Sequence, residues 1–268
     1  MRIRLTLLPY LIWSTVFVII PLMLVIIFAF STPEGNFTFN NIISVGKYSY
    51  VFLKSIVLGL VSTIVCLCIG YPMAYFISKI KAKYQNVVIM LLMIPMWTSF
   101  LLRTYSWMTI LEYNGLINKF LSSVGISKIN MINTPGAIVL GMVYNFLPYM
   151  ILPIYTILAK TDEKVIEAAQ DLGANNLKVF WKVIFPLSIP GVVSGFTMVF
   201  VPSVSTFIIS KMLGGGSIFV IGDLIEMQFL GNTYNPYLGS AISLVLMLMI
   251  VICMGIMNQL DSEENANT

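Results

Sequence analysis

The chain has 268 residues, 58% hydrophobic and 10% charged, with a formal net charge of +4 and a mean hydropathy of +0.92. A soluble domain of ordinary composition is excluded, and the chain reads as an integral membrane protein. It holds no histidine, which removes a histidine metal site, a histidine general base and an imidazole pH switch, and no catalytic or metal-ligating set stands in their place.

Six stretches are long enough to cross a hydrocarbon layer of roughly 30 Å, which takes about 20 apolar residues in a helix. They run over 8–30, 55–78, 87–111, 136–158, 190–210 and 237–258, in one domain covering 1–268. Arg2 and Arg4 precede the first, but its apolar run is too long for a signal peptide and has no small-x-small cleavage pattern, so it reads as a retained span. Cys66, Cys68 and Cys253 lie inside apolar runs and read as small buried hydrophobes. Pro21, Pro72, Pro95, Pro148, Pro153 and Pro202 interrupt the spans, each removing a backbone donor, a pattern tolerated in lipid where neighbouring helices or a water-lined cavity satisfy the freed carbonyls. The third span carries Arg103, the one charge inside a span.

Lysines and arginines set the orientation, because cytoplasmic loops carry the excess. With the N-terminus inside, the inner segments hold nine (Arg2, Arg4, Lys79, Lys81, Lys83, Lys160, Lys164, Lys178 and Lys182) and the outer loops five (Lys47, Lys54, Lys119, Lys128 and Lys211). Both termini and the loop of about 160–189 are thus expected in the cytoplasm.

That loop begins "KTDEKVIEAAQDLGANN". Thr161 or Asp162 can cap a helix, and Gly173 can take the left-handed position that ends one, which predicts a helix over 162–172. Val165, Ile166, Ala168, Ala169 and Leu172 share one face at 100° per residue; Glu163, Lys164, Glu167, Gln170 and Asp171 fill the other. Surface-lying helices carry bulky apolar residues and lysine-rich polar faces, whereas this one has two alanines and four acids counting Asp162, which favours docking on a protein. The following "LKVFWKVIFP", with Lys178, Lys182, Phe180 and Trp181, reads as an interfacial elbow into the fifth span through Pro186 and Pro190. Beyond that span, the glycines of 214–216 allow a turn, and "SIFVIGDLIEMQFL" reads as an amphipathic piece at the outer mouth. No G-x-x-x-x-G-K-[ST] phosphate loop occurs, since "GGGS" at Gly214 to Ser217 lacks the lysine.

"EAAQDLGANNLKVFWKVIFPL" resembles the EAA loop of permease subunits of ATP-binding-cassette importers, E-A-A-x3-G-x9-I-x-L-P. Glu167, Ala168, Ala169, Gly173 and Pro186 match it, and Val183 and Phe185 stand where the pattern has Ile and Leu. "GYPMAYFISK", "MIPMWTSFLLRTYSW", "TPGAIVLGMVYNFLPYMILPIY" and "FVIGDLIEMQFL" extend the resemblance over most of the chain, to the spermidine/putrescine permeases of the PotB type. The resemblance implies an all-α integral membrane protein with six transmembrane helices and a cytoplasmic coupling helix, the type I importer fold, in a bacterial cytoplasmic membrane. It further implies a second homologous permease, two cytosolic ATPase subunits that bind the ATP and magnesium, and an extracytoplasmic polyamine-binding protein, with no cofactor in this chain. Glu167 would then anchor the loop, Ala168 and Ala169 admit close approach, and Gly173 turn the backbone.

A polyamine is an extended cation, so its path should offer aromatic faces and hydroxyls. Trp97, Thr98, Tyr105, Trp107, Tyr144, Asn145, Ser203, Ser205 and Thr206 are the candidates, with Arg103, which would repel a polyamine, in a structural or gating role. Glu112, Asp223 and Glu226 fall near the outer boundary as candidate contacts for a cation or the binding protein. A permease for another small solute is the alternative within the class. An ATPase-independent secondary transporter would be expected to show buried charge relays or repeated halves, and neither is evident.

Overall fold

The computed structural model describes residues 9–231 and 233–266, and among them every regular element is helical. Arg2 and Arg4, part of the orientation argument, and Leu8, the first residue expected in a span, lie outside the described residues. The long helices are α1 (Pro9–Ala29), α2 (Asn40–Lys79), α3 (Ala82–Trp97), α6 (Pro135–Leu158), α8 (Asn176–Ser205) and α11 (Pro236–Ala266). Between them run α4 (Phe100–Leu111), α5 (Leu116–Ser123), α7 (Glu163–Asp171), α9 (Ile208–Leu213) and α10 (Ile221–Leu230).

Three spans differ from their expected bounds. Helix α2 starts well before residue 55, because its first turns carry Lys47 and Lys54 and escape a hydropathy reading. The helix entering the fifth span is continuous from Asn176, through a π-helical stretch at Phe180–Ile184, so the expected elbow is helix; it stops at Ser205, and α9 follows separately. The expected third span is two helices, α3 and the α4–α5 segment, bent by 86°. Pro95 lies in the last turn of α3, and both the backbone N–H and the hydroxyl of Thr98 donate to its carbonyl, at 3.2 and 2.7 Å, which closes α3 in place of a further turn.

The core forms where α2, α6 and α8 cross, with Cys66, Tyr71, Met142, Met150, Ile151, Ile154 and Val199 at its centre. Small residues let these backbones approach, as membrane helix pairs require. A Cβ on Gly191 of α8 would lie 2.9 Å from the Pro153 carbonyl oxygen and 3.0 Å from Ile154 Cα of α6. A second cluster joins α1, α2, α10 and α11 around Phe52, Ile221, Ala241 and Ile242. Helix α1 is apolar all round and buries only Ala29, so its surface is suited to lipid or to another membrane chain. Gly191→Val should force α6 and α8 apart at a cost of about 1–3 kcal/mol; thermal unfolding of the purified chain in detergent is expected to shift down by several degrees.

Candidate functional site

Helix α7 is short and closed at both ends. The Asp162 carboxylate accepts from the Lys164 N–H at 3.0 Å, and Gly173 sits at φ +84°. The Gly173 N–H donates to the Gln170 carbonyl at 2.8 Å and the Ala174 N–H to that of Ala169 at 3.1 Å, the paired bonds of a Schellman end. No atom lies within 4 Å of where a Gly173 Cβ would be, so the residue is demanded by backbone conformation rather than by space.

The apolar face divides. Ile166 and Ala169, with Ala174, pack against the main core, while Val165, Ala168 and Leu172 remain exposed, Leu172 by 90%. Leu177 and Trp181 continue this exposed apolar surface, and Glu167 is open beside it. A face that seats one edge on its own protein and leaves large aliphatic groups outward is an exposed apolar patch of the kind that marks a contact surface.

Behind α7 an aromatic joint leads to the spans, and sequence reading had not singled it out. Phe180 meets the rings of Tyr71 and Tyr75 edge-on at 5.8 and 5.6 Å, and Tyr71 and Ser188 share a buried hydroxyl hydrogen bond of 2.8 Å between α2 and α8. Pro186, matched in the loop motif, is half-buried beside this joint in the first turn of the α-helical part of α8. Gln85 fixes the turn between α2 and α3, donating to the Ser78 and Ile80 carbonyls and accepting from the Tyr155 hydroxyl. The "Y-x-x-x-Y" spacing of Tyr71 and Tyr75, one helical turn apart, was the available signal.

The candidate path residues do not gather in one place. Trp97 and Thr98 are exposed at the break after α3, and Tyr105 is exposed on α4. Trp107 packs edge-on against Tyr144 of α6 at 5.4 Å. Asn145 is buried, its amide donating to the Gly141 carbonyl and its Oδ1 without a partner; the buried Ser203 hydroxyl is also unpartnered. Ser205 is exposed but bonded to the Val201 carbonyl, and Thr206 ends α8. Arg103 is half-buried, 5.9 Å from the centre of the Phe100 ring, with Nε enclosed and unpartnered.

At the end of the bundle opposite α7, Glu112 is exposed and Glu226 holds Lys211 at 2.7 Å. Asp223 corrects the expectation of an outer contact, because it is buried and its carboxylate is occupied from within. The Ser210 hydroxyl donates to Oδ1 at 2.9 Å and the Val220 N–H to Oδ2 at 3.0 Å, tying α9 to the start of α10. The next amide, Ile221 N–H, donates to the Ser55 hydroxyl of α2 at 2.8 Å. Burial pushes the Asp223 carboxyl above its ordinary value, and the two hydrogen bonds pull back less strongly.

A bundle of membrane-length helices with a short, capped and half-exposed helix between α6 and α8 defines an integral membrane protein. The family model described as "Binding-protein-dependent transport system inner membrane component" matches residues 66–263, and the chain belongs to that family. It is 36% identical over 250 residues to the spermidine/putrescine transport system permease protein PotB of Haemophilus influenzae, covering 90% of this chain and 87% of that one. It is 35% identical over 255 residues to the protein of that name from Escherichia coli strain K12, covering 91% of each. In structure it is similar to a bacterial ABC transporter involved in the import of the acidic polysaccharide alginate, with a TM-score of 0.83 at 15% identity over 97% of this chain and 95% of that chain. A second alginate transporter structure, in complex with an alginate pentasaccharide-bound periplasmic protein, matches at a TM-score of 0.76 and 17% identity over 96% of this chain and 92% of that one. The importer permease fold expected from the sequence is thus the fold found.

The Asp223 carboxyl lies outside the spanning helices. With its folded value raised, the folded state holds the proton over a window that opens near 3.8 and extends upward, so its contribution to stability falls as pH rises through that window. Asp223→Asn removes this titration. Melting temperature followed from pH 4 to 7 is expected to decline less steeply for the variant than for the parent.

Proposed function

We propose that this chain is the permease subunit of an ATP-driven importer for polyamines, spermidine and putrescine, in a bacterial cytoplasmic membrane. The half-exposed α7 carries the reading: its Val165, Ala168 and Leu172 face has no cover among the described residues, and the EAA residues sit on it. The polyamine assignment is supported by the name and near full-length match of the relatives from two bacteria.

In this reading α7 is cytoplasmic, as are both termini, and docks in a cytosolic ATPase that binds ATP and magnesium. Two such ATPases, a second permease and an extracytoplasmic polyamine-binding protein complete the assembly. Closure of the ATPases moves α7, and the Phe180–Tyr71–Ser188 joint passes that movement to α2 and α8, alternating access between the two membrane faces. Exposed Trp97, Thr98 and Tyr105 remain candidates for the path, along with the Trp107–Tyr144 pair, Asn145, Ser203, Ser205 and Thr206. Glu112 and Glu226 are candidate outer contacts.

Uptake of labelled spermidine, with and without excess putrescine, in cells that have or lack this chain tests the substrate. Loss of uptake without the chain, and competition by putrescine with it, are expected; a lost uptake of some other solute with polyamine uptake intact would overturn the assignment. Gly173→Val tests coupling. A β-branched residue in the left-handed conformation costs about 1–2 kcal/mol, which loosens the end of α7 while the spans stay inserted. Uptake is expected to fall at least tenfold at unchanged expression, and normal uptake would contradict the role given to α7.

A further inference from the structure

Among the described residues Arg103 lacks a counterpart. Two ring pairs set its level along the bundle: Phe100 stacks on Phe146 at 6.4 Å and Trp107 meets Tyr144 at 5.4 Å, so Arg103, between them on α4, lies level with the middle of the 24-residue α6. At 1.5 Å per residue α6 is about 36 Å long, enough to cross the hydrocarbon layer, and its middle lies beyond an arginine's reach of lipid phosphates. The guanidinium Nε is enclosed without a hydrogen bond, and among the described residues no carboxylate pairs with Arg103. All eleven acidic residues of the sequence lie in loops, at helix ends or in the short helices between spans.

We propose that Arg103 is met by a carboxylate from a second, different membrane subunit packed on the α3–α4 face of this one. Met90, Leu91, Ile94, Leu101, Leu102 and Tyr105 make that face apolar and leave it exposed, as either lipid or another helix would accept. The cation decides between them. Hydrocarbon cannot compensate a guanidinium at this depth, whereas a carboxylate on a facing helix supplies charge and paired acceptors. A second copy of this chain has no acid to offer there, so the partner is a different chain. A cationic substrate cannot serve as the counter-ion, an exclusion that rests on the polyamine reading.

The test uses the whole transporter, purified through a tag on this chain. Benzoylphenylalanine at Leu102, with Arg103 intact, is expected to cross-link on irradiation to a second membrane subunit that carries an acid near the middle of a span. Arg103→Glu should lower co-purification of that subunit at least tenfold, Arg103→Gln less, and Arg103→Lys least, in membranes that contain equal amounts of this chain. Undiminished co-purification with Arg103→Glu, or cross-links only to lipid or to the binding protein, would overturn the proposal. So would normal assembly of Arg103→Gln with faster polyamine uptake, the outcome for a residue lining the water-filled path. If wild-type transporter carries no polyamine yet the cross-link and the Arg103→Glu loss are found, the interface stands and the polyamine reading alone falls.

Discussion

Lipid offers a polar group no partner, and the structure follows from that constraint. Along the helices the hydroxyls turn back onto the carbonyl four residues before them: Ser62 onto Leu58, Thr63 onto Gly59, Thr104 onto Phe100, Thr156 onto Leu152 and Thr197 onto Val193. Asn145 does the same onto Gly141. Where a proline breaks the ladder, Thr98 donates twice to the Pro95 carbonyl, and the chain turns through 86° without abandoning it. Four enclosed polar atoms escape this pattern among the described residues, Asn145 Oδ1, the Ser203 and Ser240 hydroxyls and Arg103 Nε, and of these only Arg103 carries a charge.

The same closure makes the helices stiff units, and stiffness lets one end respond to the other. With Gly191 admitting α8 to the backbone of α6, the crossing leaves little slack. At one end Tyr71 and Ser188 join α2 to α8 beside the Phe180 ring that leads to α7. At the opposite end Ser55 of α2 receives the Ile221 N–H, and Asp223 ties α9 to α10. Helix α2 thus carries, within its Ser49–Lys79 part, a contact with the Phe180 joint and a contact with the α9–α10 segment at the other end. In the proposed importer this helix is the mechanical route by which a displacement of α7 would reach the opposite end of the bundle.

Much of this was legible in the sequence where local chemistry decides it. Asp162 and Gly173 bracketed α7 because capping and left-handed turns depend on a few neighbouring residues, and the helix is found over Glu163–Asp171. The spans were visible from hydropathy, but the first turns of α2 were not, since Lys47 and Lys54 make them polar. Pro95 flagged an irregularity without revealing whether it would kink the third span or break it; that depended on Thr98 taking over its carbonyl. Asp223 was misplaced at the surface because its carboxylate is taken up by the Ser210 hydroxyl and the Val220 N–H, a fold-back of α9 onto α10 that hydropathy does not show. The split of the α7 face, Ile166 inward and Leu172 outward, likewise depends on a core that periodicity cannot see.

The central claim is that the open face of α7 is the seat of an ATP-hydrolysing subunit. A photo-reactive residue in place of Leu172, the most exposed aliphatic group of the loop, measures this directly in membranes containing the intact transporter. The account predicts one covalent product, with a cytosolic subunit that binds ATP, and a yield that changes when ATP is supplied. Cross-linking to lipid alone, or a yield indifferent to that subunit's presence, would contradict it.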